Sequence, residues 1–203
     1  MAVEATVERI FKLYDDYGKS DYLGENVTQI QHMVQCAMLA EEEGFSNEVI
    51  LGALFHDIGH LLGLQQGLER MVTDDVVLGA ANHDVIGAQF LREQGLPEDV
   101  CRLVKGHVDA KRYLVFKDAE YRNRLSDASK LTLVHQGGPM DAEEAAAFEA
   151  SRHFTAIIRM RQWDELGKDP TKPIQPLSKY RAMCQELLAS RAPRADCWGA
   201  LSL

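Results

Sequence analysis

The 203-residue chain has four cysteines, Cys36, Cys101, Cys184 and Cys197, and none stand in a C-x-x-C spacing. That argues against a zinc knuckle or a disulfide framework and fits a reducing cytoplasm. No apolar run is long enough to span a bilayer, and the opening MAVEATVERI lacks the charged-then-apolar layout of a secretion signal. A cytoplasmic location with no membrane partner is therefore expected. A Lys/Arg block that could offset the formal charge of −9 is also missing, so nucleic acid is not an expected partner. A small anionic substrate stays open wherever a few cations converge. Few segments alternate with period two, and no internal repeat is visible.

Helical spacing fills the chain instead. Val7, Ile10, Phe11 and Tyr14 make one stripe over Val3 to Tyr17, and Gly18 stops it. A second helix is expected from Glu25 to Glu43, and a third from a Ser46 cap through Leu62. Gly63 to Asn82 reads as a loop or short helix over a site. Further helices are expected over Asp84–Gln94, from Pro97 to an interruption at Gly106, and over 126–136, 141–166 and 178–190. Asp141 and Ser178 are the expected caps of the last two, joined by an extended connector from Asp169 to Pro176. The fold class is all-α, with a single domain over 1–190 and a tail at 191–203.

Five histidines and two aspartates are spread over these helices: His32, the adjacent pair His56-Asp57, His60, His83, His107 and Asp164. The pair offers an imidazole and a carboxylate from one point on the backbone. A carboxylate can hand one oxygen to each of two metal ions, and histidines can complete each shell. Ligands projecting inward from several helices can hold two metals rigidly. His135 and His153 fall outside the pattern.

The order H…HD…H…H…D resembles the HD-domain superfamily, a metal-binding helical bundle whose members are mostly phosphohydrolases. Local blocks are similar to a minority branch, the mixed-valent diiron oxygenases of phosphonate breakdown, and more distantly to myo-inositol oxygenase. They are Asp21-Tyr22-Leu23-Gly24-Glu25, His56-Asp57-Ile58-Gly59-His60, the stretch Gly106 to Leu114, Leu125 to Ser129, Gln136 to Met140, and Arg161 to Glu165. The resemblance implies one iron on His32, His56, Asp57 and Asp164, and a second on His83 and His107, with Asp57 bridging. It implies two Fe ions in the Fe(II)/Fe(III) state, with O2 as co-substrate. Tyr22 would cap the second iron until substrate arrives, and Glu25 would meet the substrate's amine.

His60, Lys111, Ser129 and Arg161 are the expected phosphonate clamp. His60 lies one turn beyond His56, Lys111 four residues after His107, and Arg161 three before Asp164, so each shares a helix face with a ligand. Tyr22 and Glu25, three apart at a helix start, can likewise face one way. The substrate expected is (R)-1-hydroxy-2-(trimethylammonio)ethylphosphonate, cleaved to glycine betaine and phosphate. A long His60–His83 stretch and Asp109, with Glu25 and Tyr22, would provide a roomy site for a quaternary ammonium. The alternatives are 2-amino-1-hydroxyethylphosphonate giving glycine, hydrolysis of a phosphate ester by an HD phosphohydrolase, and a sensing module without turnover.

Overall fold

Apolar residues at helical spacing give eleven helices among the described residues. In this computed structural model those residues are 2–22 and 24–191; the expected tail, from 192 on, lies outside them. Helix α1 (Ala2–Tyr17) is followed by α2 (Gln29–Glu42), α3 (Asn47–Phe55) and α4 (Ile58–Gln66). A hairpin of β1 (Arg70–Thr73) and β2 (Val76–Ala80) leads to α5 (His83–Glu93) and α6 (Glu98–Lys117). Then come α7 (Tyr121–Arg124), α8 (Asp127–His135), α9 (Ala142–Glu149), α10 (Phe154–Leu166) and α11 (Leu177–Arg191).

The core forms where α1, α2, α3, α6, α10 and α11 turn their apolar faces together, around Phe11, Tyr14, Phe55, Met33 and Trp163. The Tyr14 hydroxyl donates to the Leu54 carbonyl at 2.8 Å. That buried bond fastens α1 to the last turn of α3, directly before His56. A second cluster of Tyr113, Met140 and Ala145, with Phe148 and Phe154 against it, seats α9 on α6. None of the described helices is long and apolar enough to cross a membrane.

Several elements depart from the sequence expectations, each for a local reason. Helix α2 starts at Gln29 rather than Glu25, because Thr28 forms a capping box with Gln31. The described residues between 21 and 28 instead form a tight loop, closed by a bridge between Asp21 and Thr28 and by Tyr22 N–H donating to Val27 O. The expected third helix is two helices, broken at His56 and Asp57. The stretch expected as loop or short helix holds the end of α4 and the hairpin, whose Val72, Val76 and Val77 suit strands. Gly106 does not interrupt α6; a Cβ there would meet Ile157, so the glycine is a contact point for α10. The 141–166 span divides into α9, capped by Asp141, and α10, while α11 begins at Leu177 and leaves Ser178 inside it.

Gly59 carries the contact between α4 and α5. A Cβ on it would stand 1.9 Å from the His83 carbonyl oxygen, so the two backbones touch. Gly59→Ala must push them apart, at an expected cost of about 3 kcal/mol. Thermal unfolding should show a clear fall in midpoint, and an unchanged midpoint would contradict the close approach.

Candidate metal centre

Adjacent residues on a continuous α-helix diverge by about 100°, so His56 and Asp57 could not both face one centre from inside α3. The break solves this. His56 ends α3, while Asp57 leaves helical geometry (φ −102°, ψ 13°) and caps α4. Both side chains thereby enter the same cavity. His32 comes from α2, His83 from the first residue of α5, His107 from the middle of α6 and Asp164 from the last turns of α10. All six are buried.

Four imidazoles are held from behind by backbone. His32 Nδ1 faces the Gly167 carbonyl at 2.9 Å, His56 Nδ1 that of Ala53 at 2.8 Å, His107 Nδ1 that of Val104 at 2.7 Å, and His83 Nδ1 that of Ala80 at 3.3 Å. A carbonyl only accepts, so each Nδ1 carries the proton and each Nε2 presents a lone pair inward. The Nε2 atoms meet in two pairs, His32 with His56 at 3.0 Å and His83 with His107 at 3.1 Å. Two ligands at right angles on one metal, each about 2.1 Å away, stand about 3 Å apart.

Asp57 lies between the pairs. Its Oδ2 is 3.5 and 3.3 Å from the Nε2 atoms of His32 and His56, and its Oδ1 is 3.4 Å from those of both His83 and His107. Oδ2 is buried with no hydrogen-bond partner, an expensive state for a carboxylate oxygen that a cation would relieve. Asp164 Oδ1 joins the first pair, 3.3 Å from His32 Nε2, while its Oδ2 is held by Arg161. The donor set fits a dinuclear metal centre with Asp57 as bridge.

Electrostatics agree. Burial opposes charge on Asp57 and Asp164, yet the histidines and Arg161 hold both carboxyls well below the usual range. Burial also opposes charge on His32 and His56, but Cys36 and the two aspartates raise both, His56 to about 9. The pocket draws positive charge to this point, and a metal would displace protons there.

His60 differs from the four ligands. Its Nδ1 accepts the Ala80 N–H at 3.0 Å, so the neutral ring carries its proton on Nε2 and points a donor inward. Burial holds it below its ordinary pKa, hence neutral. Although it lies close to Asp57 and His83, the tautomer rules it out as a ligand in this arrangement. Cys36 is near His32 and His56, but its thiol donates to the Trp163 carbonyl at 3.4 Å, behind the His32 ring.

The proposed substrate residues mostly converge on the same cavity, which Tyr22, Glu25, His60, Lys111, Ser129 and Arg161 line. The Tyr22 ring stacks on His32, with centroids 4.1 Å apart. Burial and the Asp57 and Asp164 carboxylates raise its phenol well above the ordinary value. Tyr22 and Glu25 share this wall from the 21–28 loop rather than from a helix start. Gly24 makes that possible: its φ is +82°, and a Cβ would meet the Ala128 side chain of α8. Lys111 Nζ donates to Thr132 Oγ1 at 2.9 Å. Arg161 binds Asp164, Tyr121 and Glu165, and leaves one buried Nη2 unpartnered.

Asp109 is not part of this wall. On α6 it follows His107 by two residues, about 200° around the helix, and it pairs with Lys105 at 3.3 Å in a neighbouring hollow. It thus stands apart from the wall that the other expected substrate residues share. Sequence reasoning also missed Gln29, Thr132, Gln136 and Lys168, all in the cavity wall. Helical spacing could have found them: Thr132 and Gln136 follow Ser129 by three and seven, and Gln29 precedes His32 by three. His135 and His153 lie elsewhere, against Thr73 and Asp99.

Two substitutions separate bridge from donor. Asp57→Ala should reduce bound metal below one ion per chain, because one carboxylate serves both positions. His60→Ala should retain the full content. Elemental analysis of metal-loaded proteins checks both, and equal metal loss would contradict the tautomer argument.

The HD-domain family model matches residues 30–171 of this chain. The [1-hydroxy-2-(trimethylamino)ethyl]phosphonate dioxygenase (glycine-betaine-forming) of Leisingera caerulea is 45% identical over 80% of this chain and 80% of its own length. The hydroxymethylphosphonate dioxygenase of Gimesia maris is 35% identical over 90% of this chain and 88% of its own. An uncharacterized protein of Acanthamoeba polyphaga mimivirus is 42% identical over 90% and 82%. The matched stretch contains all six candidate ligands, whereas Tyr22 and Glu25 precede it. Ligand order, paired imidazoles and the shared aspartate agree with these matches, and the chain belongs to the HD-domain family.

Proposed function

We propose that this HD-domain enzyme is an oxygenase that uses O2 to cleave the carbon–phosphorus bond of 1-hydroxy-2-(trimethylammonio)ethylphosphonate, releasing glycine betaine and phosphate. Relatives named as phosphonate dioxygenases support the coarser activity, and the finer substrate follows the relative at 45% identity. One observation carries the reading: a cavity wall with Lys111, His60 and the free Arg161 Nη2 abuts the dinuclear centre. Those are donors for a dianion beside a donor set that could hold two iron ions.

The reaction balances as one hydroxyphosphonate and one O2 giving one carboxylate and one phosphate. Two iron ions at the centre would supply oxygen activation and the oxidation at C1; the donor types alone also admit manganese or zinc. The chain supplies the rest. Lys111, with Arg161 and the Nε2–H of His60, neutralises and orients the phosphonate, which places C1 against the centre. Ser129 is a further hydroxyl donor on the same wall, where Thr132 accepts from Lys111 and donates to the Ser129 carbonyl. Glu25 and the Tyr22 ring offer a carboxylate and an aromatic face to the substrate's cationic end. Tyr22, stacked on His32, also shields the centre from water until substrate enters.

The metal-loaded protein should consume about one O2 per phosphate released, as the balance above requires. Phosphate release at an equal rate without oxygen would instead indicate the hydrolytic chemistry of the wider family.

Lys111 gives the site a pH signature. Burial, reinforced by Arg161, lowers its ammonium to about 7 in the free protein. A bound dianion favours the charged form, so binding above that pH must take up a proton. Substrate affinity should then fall by up to tenfold per pH unit above about 7, while below it this group contributes no slope. Lys111→Arg keeps its charge and should flatten the profile. A slope unchanged by that substitution would remove Lys111 from the clamp.

A further inference from the structure

The 21–28 loop and the end of α10 together hold an ammonium group, and it belongs to the chain itself. Lys168 Nζ lies 2.6 Å from Glu25 Oε1 and 5.5 Å from the centroid of the Tyr22 ring. Both side chains of the ion pair are only 16% exposed. Lys168, Glu25 and Tyr22 all line the cavity of the metal centre. A carboxylate beside an aromatic face is a general way to recognise an ammonium or quaternary ammonium ion.

We propose that Lys168 is a specificity-determining residue, the displaceable occupant of an ammonium subsite formed by Glu25 and Tyr22. The inference rests on the reading of the cavity as a phosphonate site and adds how that site sorts phosphonates by charge. Two cations cannot share one carboxylate in a half-dry pocket without strong repulsion. A substrate with a cationic end must therefore move Lys168 off Glu25. A substrate without one leaves the pair intact and gains Lys168 as a third cation near its dianion, beside Lys111 and Arg161. Displacement is mechanically simple. Lys168 stands just beyond α10, at the start of the irregular connector to α11, and its four-carbon stem can swing.

The test uses the full-length, iron-loaded protein with Lys168→Met, which keeps the stem and removes the charge. For the trimethylammonio phosphonate, KM should fall about tenfold; for hydroxymethylphosphonate, which has no cationic end, it should rise about tenfold. Lys168→Arg should keep the wild-type preference. A purely structural lysine would move both substrates in the same direction, and that result would overturn the proposal.

Binding of tetramethylammonium, titrated calorimetrically without any phosphonate, gives a readout independent of turnover. Lys168→Met should bind it about tenfold more tightly than wild type, and adding Glu25→Gln should abolish the gain. Unchanged tetramethylammonium affinity would refute the subsite. If that gain appeared while neither phosphonate was turned over by any form, the oxygenase reading would fail and the ammonium subsite would stand.

Discussion

Everything in this protein is arranged around sharing the Asp57 carboxylate between two pairs of imidazoles. One oxygen faces His32 and His56, the other His83 and His107, and the first has no hydrogen-bond partner of its own. Four imidazole Nε2 atoms converge on this buried carboxylate, and only a cation among them, proton or metal, offsets the cost of burying its charge. The fold must therefore hold five side chains from four helices and one helix break at fixed separation, against that cost, and then rely on metal to offset it. Backbone carbonyls behind each ring do the holding. Because the carbonyls sit on α3, α6, the end of β2 and the turn after α10, ring orientation is tied to the helical frame itself.

The rim obeys a different logic. Tyr22 and Glu25 come from a short loop, and Lys168 from just beyond a helix. These pieces face the same cavity as the ligands but lie outside the regular helices that hold the centre. A rigid centre with adjustable walls is what a family needs if one oxidative chemistry is to serve phosphonates of different size and charge. The wall combines the cations Lys111 and Arg161, proposed to meet the phosphonate, with the Glu25 carboxylate and the Tyr22 ring that stacks on His32.

The helices were legible because apolar residues recur at helical spacing and because Asp141 caps where it was expected to, whereas the Thr28 cap was missed and the start of α2 with it. The six ligand candidates were legible because residue type survives any error in helix boundaries. What periodicity could not show was the break at His56-Asp57, since Ile58, Leu61 and Leu62 continue the apolar pattern across it. The hairpin was hidden because its two short strands lie among glycines and charges that also suit a loop. Asp109 lies apart from the other expected contacts because helix geometry turns it away from His107. Lys168 escaped notice because its role depends on Glu25, more than 140 residues earlier in the chain.

The central claim is that two metal ions flank one aspartate, and anomalous diffraction from crystals of the iron-loaded protein at the iron edge addresses it most directly. Two peaks are predicted, one among His32, His56, Asp164 and Asp57 Oδ2, the other among His83, His107 and Asp57 Oδ1, with His60 Nε2 outside both coordination shells. A single peak, or a second peak bonded to His60 in place of Asp57, would contradict it.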